Sequence, residues 1–99
     1  MTRQEHLLAC LTEECAEVIK EVCKIQRFGP NDHHPDIEDS KLNVQRLKDE
    51  IVDLIGVVDM LQDEKFIDMD ILGLEEQIEA KKARVEKYIL YAKEKGTVK

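Results

Sequence analysis

The amino-acid sequence predicts an all-α fold: an antiparallel bundle of three to four helices per chain, completed by oligomerisation. Three observations carry the prediction. Apolar residues recur at steps of three and four through most of the 99 residues, the spacing of one helix face. Both prolines, Pro30 and Pro35, fall in one polar stretch, so neither interrupts the periodic runs on either side. A chain this short also buries a modest core, and its long apolar stripes leave surface for a second copy to cover. One domain, residues 1–99, accounts for the whole length.

The first helix is expected over residues 3 to 28, N-capped by Thr2. Leu7, Leu11, Cys15, Val18, Val22 and Ile25 form its stripe. Gly29 and Pro30 end it, as Gly past the last turn and Pro beyond it commonly do. Residues 29 to 39 read as a polar loop carrying His33 and His34. Adjacent loop histidines are able to reach a metal, although exposure to solvent is their ordinary state. The second helix is expected from about Lys41 to Glu64, capped by Ser40 or Asp39, with Leu47, Leu54, Val57 and Leu61 as its stripe. Gly56 inside it costs about 1 kcal/mol relative to Ala and would allow a neighbouring helix to approach closely. After a break over Lys65 to Asp70, where Phe66 and Ile67 would pack back on the core, a third helix is expected from Ile71 to Lys95, ending before Gly96. Its stripe is Leu74, Ile78, Val85, Ile89 and Ala92, interrupted at Lys81 and Lys82.

Four acids do not fit the pattern of a plain bundle. Glu14 lies along the first stripe, three residues from Leu11 and four from Val18, and Glu17 lies at its border. Glu50 occupies the step between Leu47 and Leu54, with Asp53 at that stripe's edge. Residues three apart share a helix face, with Cβ atoms roughly 5–6 Å apart. If the two helices pack side by side, four carboxylates converge. Without compensation they would repel one another and lose hydration. A hard divalent cation relieves both costs, so the pattern points to a carboxylate-held Mg²⁺ site, with Mn²⁺ as an alternative occupant. Charged residues make up 37% of the chain, so either pair alone says little. Two pairs on consecutive helices, both on the inward side, say much more.

The Glu13-Glu14-Cys15-Ala16-Glu17 and Glu50-Ile51-Val52-Asp53 segments resemble the EExxE and ExxD signature of the MazG-type all-α nucleoside triphosphate pyrophosphohydrolases, small phage-like members included. The resemblance extends to Lys24-Ile25-Gln26-Arg27-Phe28-Gly29 and to Lys82-Ala83-Arg84-Val85-Glu86-Lys87-Tyr88 with Tyr91, and so spans most of the chain. Only its acidic motif is strongly specific. One departure is the 32 residues between Glu17 and Glu50, longer than in many members, with the excess in the loop. The resemblance implies hydrolysis of a nucleoside triphosphate to monophosphate and pyrophosphate. Glu14, Glu17, Glu50 and Asp53 would hold one or two Mg²⁺ ions and carry the catalysis. Lys24 or Arg27 would neutralise the leaving pyrophosphate, and Lys82, Lys87 or Tyr91 would help to hold substrate phosphates. A homodimer or homotetramer is implied as well.

Composition narrows the alternatives. The net charge of −7 argues against a nucleic-acid partner, which needs a basic face. A metal reconciles the same charge with a triphosphate substrate. No apolar run approaches the ~18 residues of a membrane span, and no leader pattern is present, so a cytoplasmic protein is expected. Cys10, Cys15 and Cys23, at spacings of five and eight, match no zinc pattern. Cys15 is expected to fill core space. A di-iron bundle needs Glu-x-x-His pairs, and the sequence has none. The rival from another class is a non-enzymatic helical adaptor, whose acids would only solubilise. It has no reason to place Glu50 between Leu47 and Leu54. A nucleotide- or alarmone-binding protein of the same fold is a third reading, disfavoured because all four acids are present.

Overall fold

A computed structural model describes residues 1–69 and 71–99. Among the described residues the regular structure is entirely helical: α1 (Arg3–Phe28), α2 (Asn43–Asp63) and α3 (Ile71–Glu94). The chain divides into two compact units, Met1–Ile67 and Asp68–Lys99. Among the described residues no helix is long and apolar enough to cross a membrane.

The first unit is an antiparallel hairpin of α1 and α2. Thr2 caps α1 by accepting the Glu5 N–H at 3.1 Å on its hydroxyl oxygen, and Gly29 ends the helix at φ +92 while donating to the Ile25 carbonyl. That backbone angle suits glycine. The inward row of α1 is Leu7, Leu11, Glu14, Val18, Glu21 and Ile25, all buried or half-buried. Their spacing alternates strictly between four and three. On α2 the inward row is Asn43, Leu47, Glu50, Leu54, Val57, Leu61 and Glu64, in the same alternation. This is the seam of two helices packed nearly side by side. Leu7 (5% exposed) and Leu61 (1%) anchor it, each contributing about 1.5–3 kcal/mol by burial.

The expected stripe of α1 therefore needs correcting. Cys15 and Val22 are exposed, so Cys15 fills no core space. Each follows a seam glutamate by one position, and a step of about 100° turns it away from α2. Ile19 follows Val18 in the same way, as Val44, Ile51 and Ile55 follow seam residues of α2, and all are exposed. In an antiparallel pair the two steps turn in opposite senses, so both rows lie on the same side of the hairpin. Gly56 is also exposed, and among the described residues a Cβ there would meet nothing within 4 Å, so it serves no close approach within the hairpin.

The start of α2 differs from the expected Ser40 or Asp39 cap. Asn43 and Val44 donate their backbone N–H groups to the carbonyls of Asp32 (2.8 Å) and Pro30 (3.0 Å), and Leu42 donates to Gln45 Oε1 at 2.9 Å. The loop's own carbonyls thus satisfy the first turn. Ser40 is engaged elsewhere, accepting the His34 N–H at 3.1 Å on Oγ. At the far end Lys65 adopts φ +60, with Lys65 N–H on the Gln62 carbonyl and Phe66 N–H on that of Leu61. This Schellman closure leaves Phe66 47% exposed, contrary to the expected packing, while Ile67 is half-buried. Asp70, the end of the expected break, lies outside the described residues. An ion pair between Arg3 and Glu64 ties the two open ends of the hairpin.

In the second unit α3 ends one residue earlier than expected, closed by Gly96 (φ +81), Gly96 N–H on the Lys93 carbonyl and Thr97 N–H on that of Ala92. Leu74, Ile89 and Ala92 are half-buried, whereas Ile78 and Val85 are exposed.

Buried Asn43 also donates its side-chain amide to the Gly29 carbonyl at 3.0 Å, so it joins both ends of the loop. Asn43→Ala should lower stability by about 1–3 kcal/mol, the cost of a lost hydrogen bond and a stranded carbonyl. Urea denaturation measures it. An unshifted midpoint would show that the loop is held by other means.

Candidate metal centre

The seam decides where the acids go. Glu14 and Glu50 stand in seam positions of α1 and α2, and Asp53 lies one turn beyond Glu50 on the same edge. One carboxylate oxygen from each lies within 4.8 Å of the other two. Opposite oxygens in a magnesium octahedron are about 4.2 Å apart, twice the ~2.1 Å bond. Among three donors at least two pairs must be adjacent, about 3.0 Å apart, so the oxygens need to draw in before all three bind one ion. Hard, anionic oxygen donors at this separation suit Mg²⁺ or Mn²⁺.

Glu17 is half-buried on the same side of α1 but outside that three-oxygen group. Its charge still reaches the site. The Glu50 carboxyl is held above the usual carboxylate range, first by burial and then by the negative charges of Asp53, Glu17, Glu14 and Glu21. Among the described residues none of Glu14, Glu17, Glu50 and Asp53 forms an ion pair. Nearby Asp49 shows the contrast: Lys41 Nζ sits 2.7 Å away and holds its carboxyl below the usual range.

Glu21 belongs to this neighbourhood although the sequence reading passed over it. It is buried (4% exposed), with Lys24 Nζ donating to Oε1 at 3.2 Å and Oε2 enclosed without a hydrogen-bond partner. Such an orphaned group costs about 1–3 kcal/mol, more when charged. Its signal was present in the sequence: Glu21 continues the four-three alternation from Val18 to Ile25.

Lys24 is half-buried and leads from the acids to a cavity of about 490 Å³ in the same unit. Arg27, Arg46, His33, His34 and Asp32 line it with Lys24. The Arg27 guanidinium lies over the Phe28 ring, 4.8 Å from its centre. Arg46 and the two histidines are additions that the stripes did not reveal, because the fold of the loop brings them in. Three cations thus gather locally in a chain of net charge −7. Lys82, Lys87 and Tyr91 lie on α3 in the other unit, all exposed. Lys82 pairs with Glu79 at 3.1 Å, and Lys87 lies 5.8 Å from the Tyr88 ring centre.

Compared with known protein families, curated proteins and solved structures, the chain finds no match in any of the three.

Two outcomes are expected. In the unfolded chain Glu50 loses its proton at the ordinary value, whereas in the folded chain it holds it to higher pH. The folded state therefore binds more protons between those two values, and stability falls as pH rises through that window. Melting temperatures in the presence of a chelator should show this decline from about pH 4 upward, and Glu50→Gln should remove it. A decline of the same size in the variant would clear Glu50 of the effect. Separately, Mg²⁺ at ~100 times its Kd should stabilise the protein by roughly 2.7 kcal/mol. A melting curve unmoved by millimolar Mg²⁺ would count against a preformed site.

Proposed function

We propose that the chain is a Mg²⁺-dependent nucleoside triphosphate pyrophosphohydrolase, cleaving a ribo- or deoxyribonucleoside triphosphate to the monophosphate and pyrophosphate. The observation that carries the reading is the meeting of Glu14, Glu50 and Asp53 oxygens across two helices within 4.8 Å. The EExxE and ExxD resemblance supplies the reaction class. When bound, the divalent cation would polarise phosphoryl oxygens and make water more acidic.

The chain's own residues would do the rest. Glu14, Glu50 and Asp53 hold the cation. Glu17, half-buried beside them and outside their group, is left to accept a proton from the water that attacks the α-phosphorus. The water oxygen forms its bond to phosphorus as the bond to the bridging oxygen breaks, and the electron pair leaves with pyrophosphate. Lys24, Arg27 and Arg46, gathered at one cavity, offset the charge of that leaving group. Ser40 Oγ lies 3.3 Å from His33 Nδ1 on the exposed loop, but attack by water needs no side-chain nucleophile, so no covalent intermediate is invoked. A part for Lys82, Lys87 and Tyr91 in holding phosphates rests on the resemblance alone.

The exposed apolar rows of Ile19, Val22, Ile51 and Ile55 support self-association into a homodimer or homotetramer, because contiguous apolar surface commonly marks an interface. The same surface favours the second reading, a helical adaptor without enzymatic activity. The two readings part at the acids, which the adaptor does not need.

Product analysis decides between them. With Mg²⁺ and a panel of ribo- and deoxyribonucleoside triphosphates, monophosphate and pyrophosphate should appear together, and Glu50→Gln should abolish both while retaining its helical content. Release of orthophosphate and diphosphate would refute this bond choice. No turnover on any triphosphate would favour the adaptor.

A further inference from the structure

The cavity at the loop end is larger than the leaving group assigned to it. It holds about 490 Å³, within the range of sites that enclose a whole small molecule. Its cations stand at different depths. Arg46 lies four residues before Glu50 on α2, roughly 6 Å along the axis. Arg27 lies thirteen residues beyond Glu14 on α1, roughly 20 Å along that axis. The two phosphorus atoms of pyrophosphate share one oxygen, so they lie closer together than one turn of helix, about 5.4 Å. A triphosphate with its α-phosphorus at the acids therefore meets Arg46 and ends short of Arg27, which acts on it only through space. The Arg27 guanidinium is engaged where it stands, 4.8 Å from the centre of the Phe28 ring.

The chemistry of the lining points the same way. Asp32 and Asp36 line the cavity with the bases, yet among the described residues neither Arg27 nor Arg46 forms an ion pair. A bare polyphosphate offers only acceptors, so the two carboxylates would repel it. A nucleoside offers donors as well, in its ribose hydroxyls and base amino groups, and carboxylates accept from these. Its base also has a flat face for Phe28, which is 57% exposed beside the cavity, and for the Arg27 guanidinium. The lining suits a nucleoside joined to phosphate better than phosphate alone.

We propose that the preferred substrates are dinucleoside polyphosphates, cleaved at the α-phosphorus beside the acids while the distal nucleoside occupies the loop-end cavity against Phe28 and Arg27. The inference rests on the pyrophosphohydrolase reading given above and extends its leaving group. With a dinucleoside tetraphosphate, the water oxygen bonds to the α-phosphorus as the bond to the bridging oxygen breaks. The electron pair leaves with a nucleoside triphosphate, and the proton of the water passes to Glu17. One nucleoside monophosphate and one nucleoside triphosphate result.

The test compares kcat/KM for dinucleoside tetraphosphates of adenine and guanine with kcat/KM for the matching triphosphates, with Mg²⁺, on the whole chain. The dinucleotide should be the better substrate by about 5–150-fold, the worth of one stacked base. Its early products should be monophosphate and triphosphate. Phe28→Ala should lower the ratio of the two kcat/KM values by a similar factor, and Phe28→Tyr should keep it. Phe28 lies outside the seam, so both variants should fold. A triphosphate cleaved as well as its matching dinucleotide, or better, would overturn the proposal and leave the pyrophosphohydrolase reading standing. An unchanged ratio in Phe28→Ala would overturn it too, because the ring would then contact nothing that the triphosphate lacks. Two diphosphates as products would place the attack in mid-chain and likewise overturn it. Turnover of neither compound would bring down the pyrophosphohydrolase reading, and this inference with it.

Discussion

The structure depends on the four-three seam between α1 and α2, and on the fact that this seam is not wholly apolar. A row of leucines, valines and isoleucines would close the hairpin with no demand on the surroundings. Here Glu14 and Glu21 from one helix and Glu50 from the other occupy seam positions. Each exchanges burial energy for a carboxylate that must find a counter-charge or remain partly hydrated. Lys24 answers for one oxygen of Glu21. Among the described residues nothing of that kind answers for Glu50, whose carboxyl is raised by burial and by four acidic neighbours. The hairpin thus carries its seam acids between the anchors Leu7 and Leu61 at one end and the Asn43–Gly29 contact at the other.

Much of this was legible in the residues. Helical periodicity placed α1 and α3 to within a residue, because Thr2, Gly29 and Gly96 are strong local signals whose geometry is set by the backbone itself. Glu14 and Glu50 were legible for the same reason, since their offsets from Leu11, Val18, Leu47 and Leu54 put them inward, whereas Asp53, one turn from Glu50, stays exposed at the seam's edge. Cys15 misled because small apolar residues adjacent to a seam satisfy the same loose periodicity. Only the strict alternation separates Glu21, which is in the seam, from Val22, which is out of it. The start of α2 was not legible: the groups that cap it are backbone carbonyls of Pro30 and Asp32, and a carbonyl has no residue type. Arg46, His33 and His34 come to one cavity for the same non-local reason.

Asp32 and Asp36 share the cavity at the loop end with the bases, but the site's acids and the three cations still lie apart along the hairpin. The carboxylates gather midway along it, and the cations Lys24, Arg27 and Arg46 gather towards the loop. Lys24 is the joint between the two groups, reaching Glu21 while lining the cavity. In the proposed reading this order matches a polyphosphate lying along the helices. The reacting phosphorus would sit near the acids, and the departing charge would move towards the bases.

The two ends of the loop are fastened to each other by Asn43 and Gly29, and the open ends of the helices by Arg3 and Glu64. That arrangement separates two kinds of sequence change. A residue added to or lost from the loop between those fastenings leaves both helices in register. One residue inserted between Asn43 and Glu50 rotates Glu50 by about 100° out of the seam and disperses the acids. A change in the length of the loop therefore spares the site, whereas a change in the count from Asn43 to Asp53 turns Glu50 and Asp53 away from Glu14.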